Sequence, residues 1–164
     1  MTTAGIRLVL LVAIVATIGC DRVTKQIAAT TLSDSPGQSF LADTVRLEYA
    51  ENTGAFLSLG AGWPRPVRTA IFVAGNTLLL AFFVVGMRRG WPTRTLLGVA
   101  LFVGGAVSNL LDRVVHGAVI DFMNVGIGPL RTGIFNVADV AIMLGVGLIL
   151  LDAWRSAPPA TPAP

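Results

Sequence analysis

Asp121 and Asp139 are the two side chains of this sequence best placed to do chemistry, because each lies beside a long apolar run. An ionised carboxylate is costly near hydrocarbon, and acids in such positions are usually paired and functional. Two carboxylates a few ångströms apart do not ionise together easily, so they share a proton and their pKa values separate. Such a pair would supply one general base and one general acid.

The composition is that of a membrane protein. Of the 164 residues, 54% are hydrophobic and only 13% are charged, whereas a soluble domain carries about 25% charged residues. The mean hydropathy is +0.74. The formal net charge is +3, but the lysines and arginines are spread over the loops. This positive charge therefore does not indicate a nucleic-acid partner. Cys20 and His116 are the only residues of their types, which excludes an internal disulfide and a histidine-rich metal site.

Four apolar segments, at about 6–29, 67–87, 95–112 and 137–154, are predicted to cross the membrane as helices. Arginines flank them on one side, and by the positive-inside rule this side is cytoplasmic. These arginines are Arg7, Arg88, Arg89, Arg94 and Arg155. Both termini are therefore expected in the cytoplasm, and the two long connections, 30–66 and 113–135, on the outer side.

The predicted fold class is an all-α membrane protein with four transmembrane helices and a small extracytoplasmic β-cradle. Partial apolar alternation within 38–60 predicts a small strand pair. Residues 1–155 are expected to form a single integral membrane domain, and the Pro/Ala-rich tail 156–164 a disordered cytoplasmic segment. The run Gly104-Gly105-Ala106 would allow close helix approach.

Polar residues of three spans fall at one depth. At about 1.5 Å per residue, Asp21 lies roughly 21 Å above Arg7, Asn109 roughly 22 Å above Arg94, and Asp139 roughly 24 Å above Arg155. Asp112 joins this layer, and Asp121 follows the third span closely enough to reach it. A shared layer indicates that these groups face one another or a wet cavity, but depth alone does not select which carboxylates form a pair.

Each polar residue also has a structural interpretation. Asp21 and Lys25 are spaced i,i+4 and would form an ion pair on a helix surface. Asp112 could pair with Arg113 or another nearby base. Asn136 would cap the fourth helix, with Asp139 at position N3 of a capping box. Capping would explain Asp139 without catalysis, although the two roles are compatible.

Four separated stretches carry a family resemblance. They are DRVTK (21–25), ENTGAFLSL (51–59), GGAVSNLLDRVVHGAVIDF (104–122) and FNVADV (135–140). In order and spacing they resemble the conserved boxes of bacterial lipoprotein signal peptidase, or signal peptidase II. The resemblance covers all four spans. One departure is Ser108, where glycine is expected before the asparagine, and His116 falls at a variable position expected to be an exposed loop residue.

The resemblance implies an intramembrane aspartic endopeptidase of the bacterial inner membrane. Such an enzyme removes signal peptides from diacylglyceryl-modified prolipoproteins, cleaving before the lipidated cysteine, and needs no metal or other cofactor. Its catalytic pair matches Asp121 and Asp139. Asp112 matches an aspartate that is expected to be structural. The supporting and substrate-binding residues match Asp21, Lys25, Asn52, Gly54, Asn109, Arg113 and Asn136.

Further expectations concern the site and its partners. The active site would lie near the outer leaflet surface, with prolipoproteins and membrane lipids as partners, no nucleic acid, and a monomeric enzyme. Asp139 is the better candidate for the ionised member of the pair, because a helix N-terminus favours negative charge.

Parts of the sequence are also compatible with two other functions. The chain could itself be a lipoprotein, because residues 17–20, ThrIleGlyCys, are similar to a lipidation box that ends at Cys20. Against this, Thr17 stands where leucine is expected, and three further spans follow. A proton-coupled transporter could use the polar layer as a relay. Against a transporter, the polar groups lie at one depth rather than along a path, and inverted repeats are absent.

Overall fold

Four long helices dominate the chain. The computed structural model describes residues 2–54, 60 and 62–156. The helices are α1 (Thr3–Leu32), α2 (Arg65–Arg88), α3 (Thr93–Val115) and α4 (Val137–Arg155). All four are long and apolar enough to cross a membrane, which confirms the predicted spans. Of the tail 156–164, predicted to be disordered, Ser156 is the C-cap of α4. Residues 157–164 lie outside the described residues, as do 55–59 of the second conserved box.

A four-stranded antiparallel sheet stands at one end of the bundle. Its strands are β1 (Gln38–Phe40), β2 (Val45–Asn52), β3 (Val119–Ile127) and β4 (Leu130–Arg131), in the order β1-β2-β3-β4. The predicted strand pair is confirmed as β1 and β2. The sequence did not predict β3 and β4, because β3 buries polar as well as apolar residues and shows no regular alternation.

The sheet rests on the ends of the helices that carry the polar layer. Phe122 of β3 packs with Ala28 and Leu32 near the end of α1, and partly buried Leu47 and Val137 join this cluster. The sheet therefore covers the end of the bundle where α1 finishes and α4 begins.

Helix α3 is the centre of the bundle and packs against the other three helices. Its Gly105 lies so close to α4 that an added Cβ would stand 2.4 Å from the carbonyl oxygen of Ala138. Gly104 faces α1 in the same way, with an added Cβ 2.9 Å from the Cβ of Thr17. Lipid tails are as apolar as leucine, so small residues that permit close backbone approach drive helix association in a membrane.

Gly105→Ala is expected to destabilise the bundle by about 1–3 kcal/mol, because the added methyl overpacks the α3–α4 contact. It should also displace Asp139, because Ala138 directly precedes it in α4. Gly147→Ala on α4 is the matched control, since a methyl there meets no heavy atom of the described residues within 4 Å. Thermal unfolding in detergent compares the two; equal melting temperatures would contradict the close approach.

Candidate active site

Asp121 is the third residue of β3, opposite Ala50 of β2. Its side chain is buried, with 4% exposure for the residue. Its Oδ1 accepts a hydrogen bond from Asn136 Nδ2 at 2.6 Å, and its Oδ2 accepts one from Asn52 Nδ2 at 3.2 Å. The carboxyl group is thus fixed from both sides by amide donors.

Asp139 occupies the first turn of α4, where it completes a capping box with Asn136. The backbone N–H of Asp139 donates to Asn136 Oδ1 at 2.9 Å, and the backbone N–H of Asn136 donates to Asp139 Oδ2 at 3.1 Å. The predicted cap is therefore confirmed. Asp139 Oδ1 accepts a further bond from Asn109 Nδ2 at 2.9 Å, a contact that capping alone does not require.

Asn136 joins the two aspartates. It is fully buried and caps the helix that carries Asp139 while its Nδ2 donates to Asp121. The same Nδ2 lies 3.2 Å from Asn109 Oδ1, so the two asparagines also contact each other. One amide side chain therefore fixes the position of Asp121 relative to the start of α4.

The environment of Asp121 favours its neutral form. Burial, followed by the nearby charge of Asp139, raises the pKa of Asp121 to about 6. Hydrogen bonds from Asn52 and Asn136 and the charge of Lys25 act in the opposite direction and are outweighed. A carboxyl group with this pKa can hold a proton beside a second carboxylate and release it near neutral pH.

Lys25 lies at the centre of a buried charge cluster. Its Nζ is 2.6 Å from Asp21 Oδ2 and 2.7 Å from Asp112 Oδ2, and it donates to Asn109 Oδ1 at 2.8 Å. The expected i,i+4 pair of Asp21 and Lys25 is present, but its predicted place on a helix surface is wrong, because both side chains are buried. Asp112 pairs with Lys25 and Arg22.

Asp21 connects this cluster to the start of α4. Its Oδ1 accepts the backbone N–H of Ala138 at 2.8 Å, and its Oδ2 accepts the hydroxyl of Ser108 at 2.7 Å. In the sequence, Ser108 stands out only as a small residue in place of glycine, and Arg22 has no predicted role. One feature of the sequence could have indicated the role of Ser108: its hydroxyl directly precedes Asn109 on the helix that faces α1.

Arg113 forms the edge of the site towards α2. Its Nη2 donates to the carbonyl of Gly54 at 2.6 Å, and its Nη1 donates to the carbonyl of Asn109 at 3.0 Å. Its guanidinium stacks on the ring of Phe72, with Cζ 4.2 Å from the ring centroid. The backbone N–H of Gly54 in turn donates to Asn52 Oδ1 at 3.0 Å, which orients the amide that faces Asp121.

All nine residues selected from the sequence thus belong to one connected network at the sheet end of the bundle. Two other residues singled out there lie apart from it: His116 is exposed at the end of α3, and Cys20 is exposed on α1.

Comparison with known proteins identifies the family. The sequence model of signal peptidase (SPase) II matches residues 13–155. A lipoprotein signal peptidase from Syntrophotalea carbinolica is 32% identical over 157 residues, which cover 94% of this chain and 96% of that protein. One from Shewanella sediminis is 36% identical over 137 residues, covering 82% and 76% respectively.

The fold has a counterpart among solved structures. A bacterial membrane enzyme determined by the in meso method superposes with a TM-score of 0.81 and 23% sequence identity, over 95% of this chain and 93% of that one. At this level of identity the likeness concerns the fold. The sequence matches identify the family, and this chain belongs to the signal peptidase II family.

Proposed function

We propose that Asp121 and Asp139 are the catalytic pair with which this chain removes signal peptides from prolipoproteins. Family membership makes the chain an aspartic endopeptidase of the signal peptidase II type. The assignment of the pair rests on the hydrogen bonds of Asn136. This residue forms the capping box of α4 with Asp139, and its side chain donates to Asp121. Asp21 and Asp112 are instead paired with Lys25.

The two aspartates take different roles in this proposal. Asp139 is the ionised member, because it lies in the first turn of α4, where the helix N-terminus favours negative charge. It removes a proton from a water molecule as the water oxygen attacks the scissile carbonyl carbon. Asp121 gives its proton to the carbonyl oxygen. When the C–N bond breaks, Asp139 returns a proton to the leaving amine, and Asp121 recovers one from the collapsing diol.

The remaining network residues position the pair and the substrate. Asn109 and Asn136 orient the two carboxyl groups. Asn52, Gly54 and Arg113 stand at the edge of the site, where an amide, a backbone turn and a guanidinium can bind the main chain of a substrate. Asp21 and Lys25, behind this layer, hold α1 to α3 and α4.

We further propose that residues 1–155 form one membrane protease domain, active as a monomer in the inner membrane. Both termini and the α2–α3 connection, which carries Arg88, Arg89 and Arg94, would face the cytoplasm. The sheet end would then lie at the outer leaflet. The lipid chains of a diacylglyceryl-modified substrate could remain in the bilayer while its peptide bond reached the pair.

A direct assay tests this function. The purified chain in detergent is incubated with a diacylglyceryl-modified prolipoprotein and with the same precursor lacking the lipid. The expected result is one cut before the lipidated cysteine, located by mass spectrometry, that persists with a metal chelator. Equal cleavage of the unmodified precursor would contradict the substrate assignment, and loss of cleavage with chelator would contradict metal-free catalysis.

The pH dependence of the rate tests the role of Asp121. Because its pKa in the free protein is about 6 and its protonated form is the active one, kcat/KM should fall as pH rises through this value. Asn52→Ala removes a hydrogen bond that lowers this pKa, so the falling limb should move to higher pH. Asn124→Ala, on the same strand but bonded to Arg131 and Thr132, should leave it in place. A limb that moves to lower pH in Asn52→Ala would exclude this role.

A further inference from the structure

Three arginine side chains meet at a small surface cavity where α2 begins and α3 ends. Arg65 and Arg68 come from the first turn of α2, and Arg113 comes from the last turn of α3. Among the described residues, the rest of the lining is uncharged and consists of Thr53, Thr69, Phe72 and Gly117. We call this place the arginine cavity.

Contacts hold two of these arginines at the arginine cavity. The guanidinium of Arg65 lies against Gly117, where an added Cβ would stand 3.3 Å from Arg65 Cζ. Arg113 is held by the carbonyl of Gly54 and by the ring of Phe72. Its Nε is buried and has no hydrogen-bond partner among the described residues, and a buried donor without an acceptor is costly. The cavity therefore combines fixed positive groups with a donor that the protein leaves unsatisfied.

The positive charge at the arginine cavity is not balanced by carboxylates in its described lining. Arg68 lies close enough to Arg113 for their like charges to repel. The first turn of α2 contains no acidic residue, although cations are unfavourable at a helix N-terminus. The carboxylates of Asp121 and Asp139 attract Arg113, but they do not line the cavity. An anion at the cavity would therefore lower the electrostatic energy of all three arginines.

Arg65 and Arg68 lie at the level of lipid headgroups. At about 1.5 Å per residue, they stand roughly 35 and 30 Å from Arg88 at the other end of α2, and the hydrocarbon core of a bilayer is about 30 Å thick. With Arg88 at the cytoplasmic surface, the two arginines reach the headgroups of the outer leaflet. Arginines at the outer end of a span run against the positive-inside bias, so topology does not account for them and a ligand does.

A phospholipid phosphate has the chemistry that the arginine cavity requires. Arginine binds phosphate through two parallel N–H bonds, and basic pockets between membrane helices bind lipid headgroups. The cavity has a volume of about 10 Å³, about the space of one water molecule, so it accepts one phosphate oxygen while the rest of the headgroup stays at the surface. No acidic side chain of the described lining could pair with the amine of a zwitterionic headgroup, which favours an anionic lipid.

We propose that Arg65 and Arg68, together with Arg113, bind the headgroup phosphate of an anionic phospholipid in the outer leaflet. The bound phosphate ties the outer end of α2 to the end of α3. Because Arg113 also donates to the carbonyl of Gly54, the lipid steadies the edge of the site that is proposed to bind the substrate main chain. This inference rests on the proposed orientation of the chain and on that proposed edge, whereas lipid binding itself does not depend on the catalytic pair.

Lipid binding to the purified chain in an uncharged detergent tests the site. The Kd of phosphatidylglycerol, measured by native mass spectrometry, should rise about fivefold in Arg65→Gln and about thirtyfold in Arg65→Gln/Arg68→Gln, since one arginine near an anionic lipid surface contributes about fivefold in affinity. Arg46→Gln is the matched control, because this arginine is paired with Asp43 and does not line the cavity. An unchanged Kd in the double variant would overturn the proposal.

Two further ligands test the identity of the anion. Phosphatidylcholine carries the same phosphate with a compensating positive charge, so it should bind several-fold more weakly than phosphatidylglycerol. Inorganic phosphate lacks acyl chains, so it should not displace phosphatidylglycerol at an equal concentration. Equal Kd values for the two lipids, or displacement by equimolar inorganic phosphate, would overturn the assignment to an anionic phospholipid.

Cleavage assays in lipid nanodiscs test the effect on the site and separate this proposal from the proposed function. The parental chain should have a lower KM for a lipid-modified prolipoprotein in nanodiscs that contain phosphatidylglycerol than in those of phosphatidylcholine alone, with kcat little changed. Arg65→Gln/Arg68→Gln should lose this lipid dependence, and a response equal to the parental one would overturn the effect on the site. If the parental chain cleaved no prolipoprotein, the proposed function would be refuted, and the lipid Kd values would still decide whether the cavity binds phosphate.

Discussion

Asp121→Asn and Asp139→Asn are each expected to lower kcat for prolipoprotein cleavage by about 10²–10⁴-fold, the usual contribution of a positioned acid or base. An asparagine at 121 keeps the shape of the side chain but has no acidic proton to transfer to the scissile carbonyl. An asparagine at 139 can still accept from Asn109 or Asn136, but it cannot remove a proton from water. The measurement is single-turnover cleavage of a lipid-modified precursor in detergent.

The control for these variants is an aspartate that lies away from the site. Asp152→Asn changes a carboxylate on the same helix as Asp139, four turns or so nearer its end, where it accepts from Thr95. This variant should retain the parental rate. The double variant Asp121→Asn/Asp139→Asn should be little slower than either single variant, because residues that act as one unit are not additive.

Two results would contradict the pair. If either single variant retained parental turnover, that aspartate would not be catalytic. If Asp139→Asn lost activity together with its folded structure, measured by thermal unfolding, loss of the helix cap would account for the lost activity without a catalytic role. Thermal unfolding is needed because Asp139 is part of the capping box, and loss of an N-terminal cap interaction destabilises a protein by about 0.5–2 kcal/mol.

The sequence predicted the helices, the cap of α4 and the clustering of polar residues at one depth for identifiable reasons. Apolar runs of membrane-spanning length have few alternatives to a helix, and Asn136 followed by Asp139 is a local cap signal. Depth counting along straight helices placed Asp21, Asn109 and Asp139 in one layer. The structure confirms that layer as a connected network.

What the sequence could not supply was the pairing between elements. Depth counting left four carboxylates in competition, and only the family boxes selected Asp121 and Asp139. The structure separates them physically: Lys25 pairs with Asp21 and Asp112, whereas Asn136 contacts Asp121 and caps the helix of Asp139. Which side chains face each other depends on how each helix is rotated about its axis relative to its neighbours. Helix packing sets this rotation, and position along the chain does not reveal it.

The strand that carries Asp121 shows the same limit. Val119, Asp121, Phe122 and Asn124 of β3 are all buried, so no alternation of apolar and polar residues marks it as a strand. Its pairing with β2, which brings Asp121 opposite Ala50, joins segments about seventy residues apart in the sequence. Local propensity does not specify a contact of that separation.

The largest effect on stability is expected from Lys25→Met. The ammonium group of Lys25 lies between two buried carboxylates, at 2.6 Å from Asp21 and 2.7 Å from Asp112. Methionine has a similar length but no charge, so the variant leaves a buried negative charge uncompensated. Removing one partner of a buried ion pair costs about 3–5 kcal/mol, and the thermal unfolding temperature in detergent should fall accordingly.

Arg22→Gln separates this effect from a general loss of positive charge. Arg22 also pairs with Asp112, but its side chain is 40% exposed, and partly exposed pairs contribute only about 0–1 kcal/mol. Adding Asp112→Asn to Lys25→Met restores the charge balance of the cluster and should recover part of the lost stability. If Lys25→Met and Arg22→Gln melted at the same temperature, the buried ion pairs of Lys25 would contribute no more stability than the partly exposed pair of Arg22. Loss of cleavage in Lys25→Met should accompany its loss of stability, because Asn109, which contacts Asp139, is also bonded to Lys25.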